Sequence, residues 1–224
     1  MRSLTTASDK AEGICSALIA HYGNTIAERK MDPIDELVLT ILSQNTNDVN
    51  MLRAYRSLKA AYPNWTDVLN APEDELGGVI KSSGFFRVKA KRIKATLREV
   101  NERVGRLDLS HLEHMSTEDA TKWLVSLHGV GPKTAAIVLL FCFGKATLPV
   151  DTHVWRVTKR LGLISEKTTR ESAQKDLEKL IPPSCIYSMN HNLIRHGREV
   201  CTARNPKCSI CFLNDVCSYY QKRT

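Results

Sequence analysis

The chain has 224 residues, is 42% hydrophobic and carries a formal net charge of +8 at pH 7, with a pI near 9.2. That balance suits a folded basic protein with one large core or two small ones, and it excludes a disordered polar tail. The excess of cations points to a polyanionic partner such as nucleic acid, and the lack of an apolar h-region in MRSLTTASDKAEG or of any long apolar run leads us to expect a soluble intracellular protein with no membrane partner.

The first forty residues read as two helices. Ser8 is the expected cap of a segment with Ile14, Leu18, Ile19 and Tyr22 at helical spacing, and Asp32-Pro33 opens a second with Leu37, Val38, Ile41 and Leu42 on one side. That second helix runs into Ser43-Gln44-Asn45-Thr46-Asn47-Asp48, a run of small and polar residues. The stretch reads either as a turn with Asn47 capping the next helix or as a contact loop, because Gln and Asn carry a donor and an acceptor on one side chain and can pair with base edges. After Gly84 comes FFRVKAKRIKATLREVNER, an amphipathic helix, and residues 81–103 hold eight Lys or Arg against two Glu. The run is either a solvated face or a phosphate-contacting one that includes Lys89 and Lys91.

Ser116 with Asp119 forms a capping-box pattern for a helix containing Trp123, Leu124 and Leu127. Gly129, Val130 and Gly131 then make a tight turn, Pro132 suits the first position of the following helix, and Lys133 stands at its mouth. Free N–H groups at a helix start form a ready phosphate site, and two helices joined by such a turn can grip a DNA backbone without reading sequence. Asp151, in LPVDTHVWRVTKRLG, falls at another helix start, where an ordinary N-cap is the plain reading. Neither a period-two strand nor a tandem repeat is evident, so the fold is expected to be all-α.

Seven cysteines in an intracellular chain favour metal or cluster binding over a disulfide framework. Cys15, Cys142 and Cys185 stand alone in apolar surroundings as small core residues, while His153, His191 and His196 are not spaced as a ligand set. Cys201, Cys208, Cys211 and Cys217 form C-x6-C-x2-C-x5-C, a compact wrap that suits a four-iron cube better than zinc, although zinc accepts four thiolates too. The wide first step exposes Arg204 and Lys207 on a loop pinned at both ends, either as a phosphate clamp or simply as solvated cations.

LHGVGPKTA, VDTH eighteen residues after the lysine, and the terminal cysteine pattern together resemble the endonuclease III family of base-excision DNA glycosylases, within the helix-hairpin-helix Gly/Pro-Asp superfamily. The resemblance covers the chain from about Pro33 to Cys217. It implies a two-lobed fold with a DNA groove between the lobes: a six-helix barrel over residues 35–145 that contains the hairpin, and a discontinuous cluster domain from residues 1–34 and 146–224. It makes Lys133 the nucleophile and Asp151 its essential partner, gives Gly129, Val130 and Gly131 backbone phosphate contacts, and makes the four cysteines ligands of a [4Fe-4S] cluster. The implied activity is bifunctional: a monomer removes oxidised pyrimidines from damaged double-stranded DNA and cleaves 3′ to the abasic site through a lysine Schiff base. Physical chemistry agrees, since a lysine attacks only as the neutral amine, and a helix start disfavours positive charge while favouring a carboxylate. Family members active on pyrimidine damage often carry Ser-Ala-Gln-Ala-Thr-Asp where this chain has Ser43 to Asp48, and the order Gln-Asn-Thr partly resembles the Gln-Gln-Thr of adenine glycosylases. Gln44 or Asn45 is expected to fill the gap left by the flipped base. The competing readings are a mismatch-specific thymine or uracil glycosylase and a non-catalytic DNA-binding or redox module.

Overall fold

The computed structural model describes residues 6–25 and 31–223. Among them are α1 (Ala7–Tyr22), α2 (Pro33–Ser43), α3 (Asp48–Ala61), α4 (Trp65–Asn70), α5 (Glu73–Val79), α6 (Phe86–Val104), α7 (Thr117–Val125), α8 (Pro132–Phe143), α9 (Thr152–Leu161), α10 (Arg170–Leu180), α11 (Ile186–Glu199) and α12 (Ser218–Gln221). No strand occurs among the described residues, and no helix there is long and apolar enough to cross a membrane. They divide into two compact units, one holding residues 31–143 and the other residues 6–25 with 144–223.

Local chemistry sets several helix starts. Asp32 caps α2 through Ile34 N at 2.9 Å with Pro33 in the first turn, Asn47 caps α3 through Asn50 N at 2.9 Å, and Ser116 caps α7 through Asp119 N at 3.0 Å. The start of α1 differs from expectation. Thr6, not Ser8, is its cap, in a reciprocal box with Asp9, because that pair satisfies two orphan N–H groups where Ser8 lies inside the first turn.

In the unit of 31–143 the core joins Leu37, Ile41 and Leu42 of α2, Ile93 and Leu97 of α6 and Val138 and Leu139 of α8. The α8 helix is buried along most of its length, and Ala135 and Ala136 have no exposed surface. Small side chains there let α2 and α7 pack closely against it. Two cations of α6, Lys89 and Lys94, lie in this interior, and the Lys94 ammonium donates to Ala71 O. Lys89 is 2% exposed, and its ammonium donates to Leu42 O and Ser83 O, each at 2.7 Å, so the sequence expectation that it meets a phosphate is corrected: its donors are spent inside the fold. Burial first, and the nearby Arg92 second, hold its pKa down to about 8.

Lys89→Met is expected to cost about 1–3 kcal/mol in denaturant unfolding, because two buried carbonyls lose their donor. The pH profile carries a second signature. Because the folded-state pKa is depressed, the folded chain releases this proton before the unfolded chain does, so wild-type stability rises as pH climbs from about 8 towards the ordinary lysine range. The Met variant lacks that rise, and an identical profile for the two proteins would refute the assignment.

In the other unit α11 is the central helix. Its buried polar residues all have partners: Asn192 Nδ2 donates to Gly23 O at 3.1 Å, Ser188 Oγ to Asn24 Oδ1 at 2.6 Å, and Asn190 Nδ2 to Pro149 O at 2.7 Å. The last bond fixes the strap that leads into Asp151. Cys15 is buried as expected, and so is Cys142 in its own unit. Cys185, in contrast, is half-exposed at the turn before α11 with its thiol hydrogen-bonded to Cys15.

Candidate nucleic-acid and catalytic site

The hairpin is built against α6. After α7 ends at Val125, Leu127 and Val130 turn inward, and Gly129 takes φ +81°. A Cβ at Gly129 would collide with the Cγ and Cδ of Arg92, so glycine is needed there both for the dihedral and for the close approach of α6. Thr96 Oγ1 donates to His128 O at 2.8 Å and Glu99 Oε2 accepts from His128 N at 3.2 Å, which fastens the turn to the same helix. The Val130 amide is corrected as a phosphate contact. It donates to Leu127 O at 3.2 Å and closes the turn. Pro132 is the first residue of α8, and Lys133 follows it, exposed in the first helical turn.

Two loops flank this hairpin within the same unit. In the first, Gln44 ends α2 and is half-buried, with Arg92 Nη1 donating to its Oε1. Asn45 is exposed with φ +53°, a conformation that Asn tolerates better than most residues. The second follows Ser82, whose hydroxyl donates to Asn50 O at 3.2 Å. There Phe85 takes φ +48° and is 67% exposed, whereas its neighbour Phe86 packs against the core. A large aromatic held outward by a left-handed backbone is a strained feature of the sort that marks functional loops. Sequence reading missed it, although the Phe-Phe pair held the signal: only one of two adjacent residues can lie on the buried stripe of α6. Lys91, further along α6, is exposed.

In the other unit, Asp151 caps α9. Its Oδ1 accepts from His153 N at 2.8 Å and Val154 N at 2.7 Å, so the plain N-cap reading is observed. Both bonds fall on one oxygen. Further along α9, Arg156 donates to Gly197 O at 2.7 Å and Cys201 O at 3.0 Å, while Arg160 donates to Thr202 O at 2.8 Å, Ala203 O at 3.1 Å and Cys201 Sγ at 3.3 Å.

Cys201, Cys208, Cys211 and Cys217 all line one cavity, together with Arg160, His196 and Tyr220. Among the described residues no three His, Cys, Asp or Glu side chains converge as a single ion requires. A four-iron cube gives each thiolate its own iron and spreads the sulfurs wider than one ion does. The surroundings fit an anionic four-thiolate group, with the Arg160 guanidinium on one sulfur and a histidine on another. Cys211 Sγ lies 3.6 Å from His196 Nε2, and Tyr22 Oη lies 3.1 Å from His196 Nδ1. Burial pushes the Cys201 and Cys211 thiols up and His196 down to about 4, so the imidazole is neutral. The place of His196 beside the cysteines was hidden in the sequence because its partner comes fifteen residues later. Arg204 and Lys207 are exposed on a loop braced by Thr202 Oγ1 to Arg204 O at 2.8 Å and by Lys207 N to Val200 O at 3.0 Å.

The family model described as HhH-GPD superfamily base excision DNA repair protein matches residues 38–183, and that for the iron-sulfur binding domain of endonuclease III matches residues 201–217. Endonuclease III of Thermotoga maritima is 36% identical over 87% of this chain and 87% of its own length. The chain belongs to the endonuclease III family. It is therefore a base-excision DNA glycosylase and AP lyase with a [4Fe-4S] cluster. Two solved structures have the same fold. A trapped endonuclease III–DNA covalent intermediate matches with TM-score 0.82 and 27% identity over 96% of this chain and 98% of its own. A thermostable thymine-DNA glycosylase matches with TM-score 0.79 and 26% identity over 95% and 97%.

Proposed function

We propose that this enzyme removes oxidised pyrimidines from double-stranded DNA and then cuts the strand 3′ to the abasic site, with Lys133 as its nucleophile. The observation that carries this reading is the exposed amine of Lys133 in the first turn of α8, directly after a glycine turn with backbone φ +81°. Amides of that turn and of the helix start bind the phosphates beside the lesion, with Gly129 and Gly131 as the contacts in place of Val130. Gln44 or Asn45 fills the gap left by the flipped nucleotide, Phe85 acts as an apolar wedge against the stack, and Lys91, Arg204 and Lys207 add phosphate contacts.

In the chemical step Lys133 Nζ bonds to C1′ of the deoxyribose as the base departs. Protonation of O4′ then breaks the C1′–O4′ bond and opens the sugar ring to an iminium, which acidifies a C2′ proton whose removal expels the 3′ phosphate by β-elimination. Asp151 stabilises positive charge on the sugar and serves in proton transfer. Cys201, Cys208, Cys211 and Cys217 would hold the cluster, which would close the loop of residues 201–217, and this chain's own side chains carry the chemistry. We assign residues 35–145 to the hairpin barrel and 1–34 with 146–224 to the cluster domain, in a monomer that acts in the cytoplasm, at the nucleoid in a prokaryote.

The structural likeness to a thymine-DNA glycosylase favours a second reading, excision of thymine or uracil from mismatches. Single-turnover rates on duplexes carrying thymine glycol, 5-hydroxycytosine, G:T, G:U or a bare abasic site separate the two. The proposal expects the oxidised pyrimidines to react at least about tenfold faster than either mismatch, with borohydride trapping on both lesion and abasic duplexes. Faster turnover of G:T, or release of base without trapping, would reject it.

A further inference from the structure

We propose that Arg92 sets the base preferred opposite the lesion, by holding the side-chain amide of Gln44 in one orientation. This rests on the assignment of the Gln44 loop to the strand gap. Gln44 is fixed at both of its ends. Its backbone continues from Leu42, whose carbonyl accepts from the buried Lys89 ammonium at 2.7 Å, and its own N–H donates to Ile41 O at 3.3 Å. Its amide oxygen Oε1 accepts from Arg92 Nη1. A guanidinium only donates, so the oxygen must face Arg92 and the amide NH2 must point away from it.

Arg92 also packs on the hairpin. Its stem lies across Gly129, close enough that no Cβ fits between, so one side chain spans from the hairpin to the Gln44 loop. An unrestrained glutamine reads either polarity of partner by turning its terminal amide through half a revolution. A restrained one reads a single polarity. Guanine offers an acceptor, O6, at the position where adenine offers a donor, N6. With its NH2 forward, Gln44 favours guanine in the opposite strand, and Arg92 is the positioning residue for that choice.

The test is single-turnover excision of one lesion, thymine glycol, placed opposite guanine or adenine. Wild type is expected to favour guanine about fivefold, the scale of one hydrogen bond. Arg92→Met keeps the apolar stem over Gly129 but has no donor, and it should bring the ratio to about one, while Arg92→Lys retains part of it. Gln44→Glu keeps the Arg92 partner but turns an acceptor towards the base, so its preference should move to adenine, which provides a second readout if Arg92→Met folds poorly. Introduced into Gln44→Leu, Arg92→Met should leave the ratio where Gln44→Leu alone puts it. A wild-type ratio that survives in Arg92→Met, or a preference unmoved in Gln44→Glu, overturns the role of Arg92 alone. Absence of excision by wild type from every duplex overturns the lesion assignment and this inference together.

Discussion

Lys133→Gln is expected to lower strand cleavage at an abasic site by about a thousandfold or more and to abolish borohydride trapping, because the amide has no nucleophilic lone pair to give. The position suits a clean experiment. Lys133 is exposed on α8, so the substitution should move stability by no more than about 0.5 kcal/mol. DNA binding should persist, because the substitution leaves the hairpin backbone in place. Trapping that survives in this variant would place the nucleophile elsewhere.

Cys211→Ala is expected to cost about 4 kcal/mol or more of stability and to remove the visible absorption of the iron–sulfur cluster. The cysteine sits in a cavity with the other three and beside His196 Nε2 at 3.6 Å. Losing it leaves a buried imidazole without its sulfur neighbour and a loop without one of its four attachments. Iron and sulfide content, absorption and thermal unfolding should change together. Full cluster content in the alanine variant would show that Cys211 is not a ligand.

The parts of the fold that were legible in the sequence are those written locally. Asp32, Asn47, Ser116 and Asp151 each cap the helix that immediately follows, because an N-cap needs only a short side chain and amides two or three residues on. The cysteines could be read for the same reason, lying within seventeen residues of one another. What could not be read depends on neighbours distant in sequence. Lys89 looked like one more surface cation, yet it lies four residues before Ile93, on the buried stripe of α6, and its carbonyl partners come from two other segments. Charge identity concealed what periodicity implied. Val130 was grouped with its flanking glycines, although an apolar side chain 5% exposed has to pull its own backbone inward. The hold of Arg92 on Gln44, across 48 positions, left no trace in either local pattern.

The α9 helix joins the carboxylate to the cysteine loop. Asp151 stands at its start, while Arg156 and Arg160, the latter about 13 Å further along at 1.5 Å per residue, are bonded to the cysteine loop. One rigid element therefore carries both the carboxylate and the two arginines that grip the cysteine loop, so a displacement at either end of the rod is transmitted to the other.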